Sequence, residues 1–247
     1  MRYIQNILWY KSDYLNQSFD KEESFHYVFY FPKDSLAEKD IKEIVELKEK
    51  HYSKIISFLE LKNGRKIDYY IYSSIKEKTL LMGDDSPGNA IWQELEDNIP
   101  KEFEIHVVYS EKCKFVGEHE DTHLLSLPWG LSIYLFCEGL AQYMEDNFMN
   151  KDLHLISKEL LNENKLYSLQ WLCDNNNWEN VEPTTIYPQV GSFTKFLIEK
   201  YGKGEFKEVY QNTSRNHDIS KNLFEIERVY SKDINQLERE WKDFIDN

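Results

Sequence analysis

The sequence predicts an α+β fold: a strand-containing N-terminal lobe, an all-helical C-terminal lobe, and a motif-bearing helix between them. Two patterns carry this prediction. Aromatic, β-rich runs occur only in the first half of the chain, at residues 25–31 (FHYVFYF), 67–72 (IDYYIY) and 104–109 (EIHVVY). From Phe115 onward, apolar residues recur at helical spacing in one segment after another. Strands followed by helices, rather than alternating with them, are the mark of α+β organisation. A length of 247 residues buries an adequate core without disulfide or metal staples.

Taken in order, residues 1–24 are charged and lack a clear period. They read as an N-terminal extension packed on the domain, with an open role. The run at 25–31 is stopped by Pro32 and reads as a buried strand. Ser35 followed by Glu38 is a capping box. It opens a helix whose residues Ile41, Ile44, Val45, Tyr52, Ile55, Ile56 and Leu59 keep helical spacing, up to a stop signal at Asn63-Gly64. Strands at 67–72 and 104–109 follow, with GDDSPGNAIW at 83–92 between them as a turn-rich loop. Helices are expected at 115–127, 131–147, 152–162, 189–201, 204–212 and 234–245. The last, INQLEREWKDFI, is amphipathic with a solvated charged face. The resulting division is an extension at 1–24, an α+β lobe at 25–127 and a helical lobe at 128–247.

Composition narrows the function. Thirty Lys+Arg against 44 Asp+Glu give a net charge of −14, which argues against nucleic acid and against a polybasic membrane anchor. No run approaches the ~18 apolar residues of a membrane span. Lys11 and Asp13 interrupt the N-terminus before an apolar stretch of signal-peptide length builds up. The three cysteines, Cys113, Cys137 and Cys173, are odd in number and widely spaced, unlike a secreted disulfide scaffold. The expected location is cytoplasmic, with secretion left open for a chain whose leader has been removed.

The chemistry concentrates at His119-Glu120-Asp121-Thr122-His123, an HExxH sequence. On a helix, positions i and i+4 share a face, so both imidazoles reach one ion while Glu120 sits beside its open position. A chance HExxH in a chain of this composition arises at roughly 2%, so context has to carry the reading. Glu138, fifteen residues beyond His123 in CEGLAQY, supplies a third ligand. It stands between Phe136 and Leu140, where a bare carboxylate is costly. Two imidazoles and a carboxylate suit one Zn2+ ion with a fourth position free for water. Cys137 points about 100° away from Glu138 on a helix and reads as packing. His26, His51, His106, His154 and His217 lack spacing partners and read as core or surface residues.

With HEDTH, CEGLAQY and the upstream GNAIW, the chain resembles the gluzincin peptidases, the thermolysin-like and aminopeptidase-like HExxH…E clan. The resemblance is in particular to small bacterial peptidase-like proteins with an EGLAxY segment. The resemblance spans residues 25–245 and implies a thermolysin-like catalytic domain with zinc in the cleft between its lobes. It implies His119, His123 and Glu138 as metal ligands, and Glu120 as the general base that takes a proton from water and passes it to the leaving amine. Asn89 and Ala90 correspond to a substrate-binding edge strand. Tyr187, in the YPQVGSFTKFLIEKYG segment, corresponds to a hydroxyl donor for the oxyanion, with Tyr134 and Tyr143 as competitors. Gln142 takes a place beside a ligand histidine where relatives carry a carboxylate. The implied partner is a peptide or protein substrate, with endopeptidase and aminopeptidase action both open. Two alternatives stand beside the general peptidase: a zinc-binding regulatory module without turnover, and a regulatory protease specific for one partner protein.

Overall fold

The computed structural model describes residues 14–15, 17–62, 65–92, 103–114 and 116–246. Among them the chain is mixed α/β, with six strands and ten α-helices. It divides into two compact units, Met1–Leu125 and Ser126–Asn247. No helix among the described residues is long and apolar enough to cross a membrane.

The first unit holds all the strands: β1 (Phe19–Glu23), β2 (Tyr27–Pro32), β3 (Ile67–Tyr72), β4 (Gly88–Trp92), β5 (Phe103–Ser110) and β6 (Cys113–Lys114). Its helices are α1 (Leu36–Leu59), α2 (Ile75–Met82) and α3 (His119–Leu125). The sheet order is β1-β2-β3-β5-β4, with β6 paired to β5. β2, β3 and β5 run parallel, while β1 and β4 are antiparallel to their neighbours. Parallel neighbours need a crossover, and α1 supplies the one from β2 to β3. Ser35 opens α1 by accepting from Glu38 N at 3.1 Å, and Glu38 in turn accepts from Asp34 N at 2.6 Å. Tyr27, Phe29, Tyr69, Ile71, Ile105 and Val107 are buried at alternate strand positions, which places them on one face of the sheet. Phe19, Tyr72, Leu81 and Val108 form a second cluster on the other.

Three parts of this unit differ from the sequence reading. Residues 19–23, assigned to an extension, form edge strand β1 with Phe19 buried; residues 1–13 and 16 lie outside the described residues. Within 83–92, read from its residues as loop, Gly88–Trp92 is strand β4 at the sheet edge, as the resemblance implied for Asn89 and Ala90. The Ser86-Pro87-Gly88 turn signal hid a strand whose five residues are all half-buried. Helix α2 was not anticipated because eight residues are too few for a period to declare itself; it is capped by Ser74 and ends at Gly83 with φ 74°. The stop at Asn63-Gly64 lies outside the described residues, and α1 ends at Glu60 in the left-handed region.

The second unit is helical: α4 (Tyr134–Glu145), α5 (Leu153–Asn162), α6 (Leu169–Leu172), α7 (Pro183–Tyr201), α8 (Lys203–Asn212), α9 (Ile219–Tyr230) and α10 (Ile234–Asp246), with short 3-10 turns at Leu127–Trp129 and Asn175–Asn180. α7 is the central element and packs on α4 and α5. Its sequence reading began at 189, because Pro188 looks like a boundary. The helix instead starts at Pro183 and continues through Pro188, since Ile186, Val190, Phe193 and Leu197 are all fully buried and their packing offsets one missing backbone bond. α9 escaped notice because its buried stripe, Asn222-Ile226-Tyr230, begins with a polar residue. Asn222 accepts from Ser214 N at 3.0 Å and donates to Ser214 O at 3.1 Å.

The α4–α7 crossing depends on Gly139. A Cβ there would lie 2.3 Å from Thr194 Oγ1 and 3.0 Å from Val190 O. Gly139→Ala is therefore expected to lower stability by about 1–3 kcal/mol, the usual range for overpacking a tight core. A denaturant titration measures this, and Thr194→Ala in the same chain should restore part of the loss. An unchanged midpoint for Gly139→Ala would contradict the crossing geometry.

Candidate metal centre

Helix α3 begins at His119, and buried polar contacts hold it. Asp121, two residues after His119 and two before His123, points to the opposite side of the helix from the histidines and is completely buried. Its carboxylate is ion-paired with Lys48 of α1, also completely buried, and accepts from Tyr27 Oη at 2.6 Å. Lys48 Nζ also donates to Gly117 O at 3.1 Å and sits 4.7 Å from the Tyr69 ring centre. Burial, reinforced by Asp121, holds the Tyr27 and Tyr69 hydroxyls well above the ordinary tyrosine range, so both stay protonated. At the start of the helix, Thr122 donates to Glu118 O through N at 3.0 Å and Oγ1 at 2.9 Å.

Glu118 receives Lys54 Nζ at 2.5 Å, and His51 Nε2 approaches it at 3.3 Å. Burial raises the Glu118 carboxyl against the pull of Lys54. Burial, with Lys48, Lys54 and Lys50 nearby, drives His51 down to about 3. His51 is therefore neutral near pH 7, and its 3.3 Å approach to Glu118 is not an ion pair.

The ring centres of His119 and His123 are 4.8 Å apart, as i and i+4 on one helical face require. Glu120 between them is buried. Glu138 lies on α4 and is half-buried, although Phe136, Cys137, Gly139 and Leu140 around it are buried. One ligand atom from each of His119, His123 and Glu138 lies within 4.8 Å of the others. Two imidazole nitrogens and a carboxylate oxygen form a donor set that fits zinc.

β4 is packed against α3 at the edge of the sheet. Val108 N donates to Pro87 O at 2.9 Å, which fixes the phase of the β4/β5 ladder. Bonded and non-bonded pairs alternate in an antiparallel ladder, so Asn89 and Ile91 bond inward to His106 and Glu104. The N–H and C=O groups of Gly88, Ala90 and Trp92 consequently face outward. Asn89 differs from Ala90: its side chain shares a sheet face with His106, and its Oδ1 is buried without a hydrogen-bond partner among the described residues.

The remaining expected residues lie on α4 and α7. Gln142 is buried and donates from Nε2 to Asn147 O at 2.6 Å, which ties the chain where it leaves α4. Tyr187 sits in the second turn of α7, its ring stacked on Phe148 at 6.2 Å. Of its competitors, Tyr134 is covered by the Arg215 guanidinium at 3.8 Å, and burial raises the Tyr143 hydroxyl. Sequence reasoning missed the Lys48–Asp121–Tyr27 anchor, although a signal existed: Lys48 falls in line with Ile44, Tyr52 and Ile55 on the buried face of α1.

No protein-family model matches the chain, and no curated protein is significantly similar to it.

Proposed function

We propose that this protein is a zinc-dependent peptidase of gluzincin type, with a thermolysin-like arrangement of its strand-bearing and helical parts. One observation carries the reading: the two histidines of HEDTH and Glu138, a residue remote from them in the motif, bring three ligand atoms within 4.8 Å of one another. His119, His123 and Glu138 would hold the ion. When bound, zinc supplies Lewis acidity, polarising a carbonyl and lowering the pKa of water to about 7.

The chain's own residues do the rest. Glu120, buried beside the ligands, takes the proton of the attacking water on its carboxylate and returns it to the departing amine. The outward backbone groups of Ala90 and its neighbours receive an extended peptide as an added strand. Tyr187 donates its hydroxyl to the developing oxyanion. Gln142 fixes the end of the helix that bears Glu138. The substrates in this reading are peptides or proteins. Three free cysteines favour a reducing, cytoplasmic setting.

Elemental analysis of the purified chain tests the centre. About one zinc per chain is expected, removed by a chelator and restored on reloading, and lost in His123→Ala and in Glu138→Ala. Equal zinc content in wild type and both variants would overturn the ligand assignment.

A further inference from the structure

The face of α4 that carries Glu138 also carries an arginine site. Tyr134 and Glu138 are separated by four residues, so they share a helical face, about 6 Å apart along the axis. Arg215, in the loop after α8, lays its guanidinium 3.8 Å from the centre of the Tyr134 ring. Its Nε donates to Ser132 O at 3.3 Å. The loop is fixed on both sides of this contact: Thr213 Oγ1 is 2.6 Å from Ser132 Oγ, and Ser214 is bonded twice to Asn222. The guanidinium is thereby preorganised, which lowers the entropy lost on binding.

Among the described residues no carboxylate pairs with Arg215. By contrast, Arg228 is engaged by both Glu208 and Glu225. Nε is committed to Ser132 and the guanidinium also bonds the Cys137 side chain; the N–H groups that remain of its five can still receive a carboxylate in charge-assisted hydrogen bonds. A second feature points the same way. The first turn of the twelve-residue helix α4 contains no acidic residue, and its first N–H, that of Tyr134, is met by the neutral amide oxygen of Asn175 at 3.0 Å, so no negative charge faces the positive end of its dipole there. In a chain of net charge −14, this is a local site of opposite sign.

We propose that Arg215, stacked on Tyr134, is a binding subsite for a carboxylate of the substrate. The assignment deepens the peptidase reading and rests on it for the bond that is cut. Extended peptide rises about 3.3–3.6 Å per residue, so the ~6 Å between Tyr134 and Glu138 along the axis corresponds to roughly two residues. The carboxylate therefore lies within about two residues of the scissile bond, either as the free C-terminus or as an acidic side chain.

Binding of three probes by isothermal titration, to chelator-treated and to zinc-loaded Glu120→Gln protein, tests the site without turnover. The probes are acetyl-Ala-Ala-Ala acid, the same peptide as its amide, and acetyl-Ala-Asp-Ala amide. At least one carboxylate probe should bind roughly tenfold or more tighter than the neutral amide, as a charge-assisted pair gives. Whichever probe gains identifies the source of the carboxylate. Arg215→Met should abolish the gain and Arg215→Lys should keep part of it, with thermal unfolding confirming that both variants are folded. Equal binding of all three probes, or a gain that survives in Arg215→Met, overturns the subsite. A peptidase reading that fails by lack of turnover leaves this binding result intact, so the two failures are distinguishable.

Discussion

Glu120→Gln is expected to retain its zinc and lose peptide hydrolysis by about 10²- to 10⁴-fold, the contribution of a positioned general base. Glutamine keeps the shape of the side chain and its hydrogen-bonding reach, but it cannot carry a proton between water and amine at neutral pH. Glu120 is buried next to both histidines without belonging to the ligand group, so substitution leaves all three donors in place. Zinc content and hydrolysis measured on the same preparation separate the two roles. Full hydrolysis by the variant would sink the mechanism. A peptide-library digest with protein substrates included reaches a protease that cuts only one partner. A zinc-loaded wild type that cleaves nothing in that digest would make the protein a binding module.

Asp121→Ala is expected to produce the largest loss of stability among single substitutions in the first unit, about 3–5 kcal/mol. The reason is what it leaves behind. Lys48 is completely buried and its counter-charge is Asp121, so removing the carboxylate strands an ammonium in a low-dielectric interior. An exposed pair such as Lys21–Glu23 contributes little because water screens it, and the difference is one of desolvation. Replacing both partners, as in Lys48→Met with Asp121→Leu, removes the stranded charge and should restore most of the stability. Denaturant midpoints for the two singles and the double complete the cycle. A loss below about 1 kcal/mol for Asp121→Ala would show that Lys48 finds other compensation.

The sequence revealed most where one period or one spacing decides the outcome. His119 and His123 share a face because helix geometry permits nothing else, and the long apolar stripe of α1 could hardly be anything but helical. It revealed least where tertiary packing overrides a local signal. Pro188 looked like a boundary, yet the burial of Val190 and Phe193 carries α7 through it. Gly88 looked like part of a turn, yet pairing with β5 makes it the first residue of a strand. The parallel order β2-β3-β5 was not legible either, because the residues that pair across it lie far apart in the chain. At the candidate centre the residue types and spacings were readable. The ties from Lys48 to Asp121 and from Arg215 to Tyr134 were not, since single charged residues have no periodicity.

Helix α3 contains only seven residues, fewer than the ~12–15 at which an isolated helix becomes even marginal in water. Its two imidazoles are thus brought to one side by β2 and α1, through Tyr27 and Lys48, and not by any helical tendency of HEDTH itself. A nascent chain presents His119 and His123 as two unrelated, weakly chelating side chains. In a classical zinc finger the metal drives folding; under the proposed zinc assignment the order is reversed, with folding first and capture of the ion second. The first unit should accordingly keep its sheet and its buried Lys48–Asp121 pair when zinc is withheld.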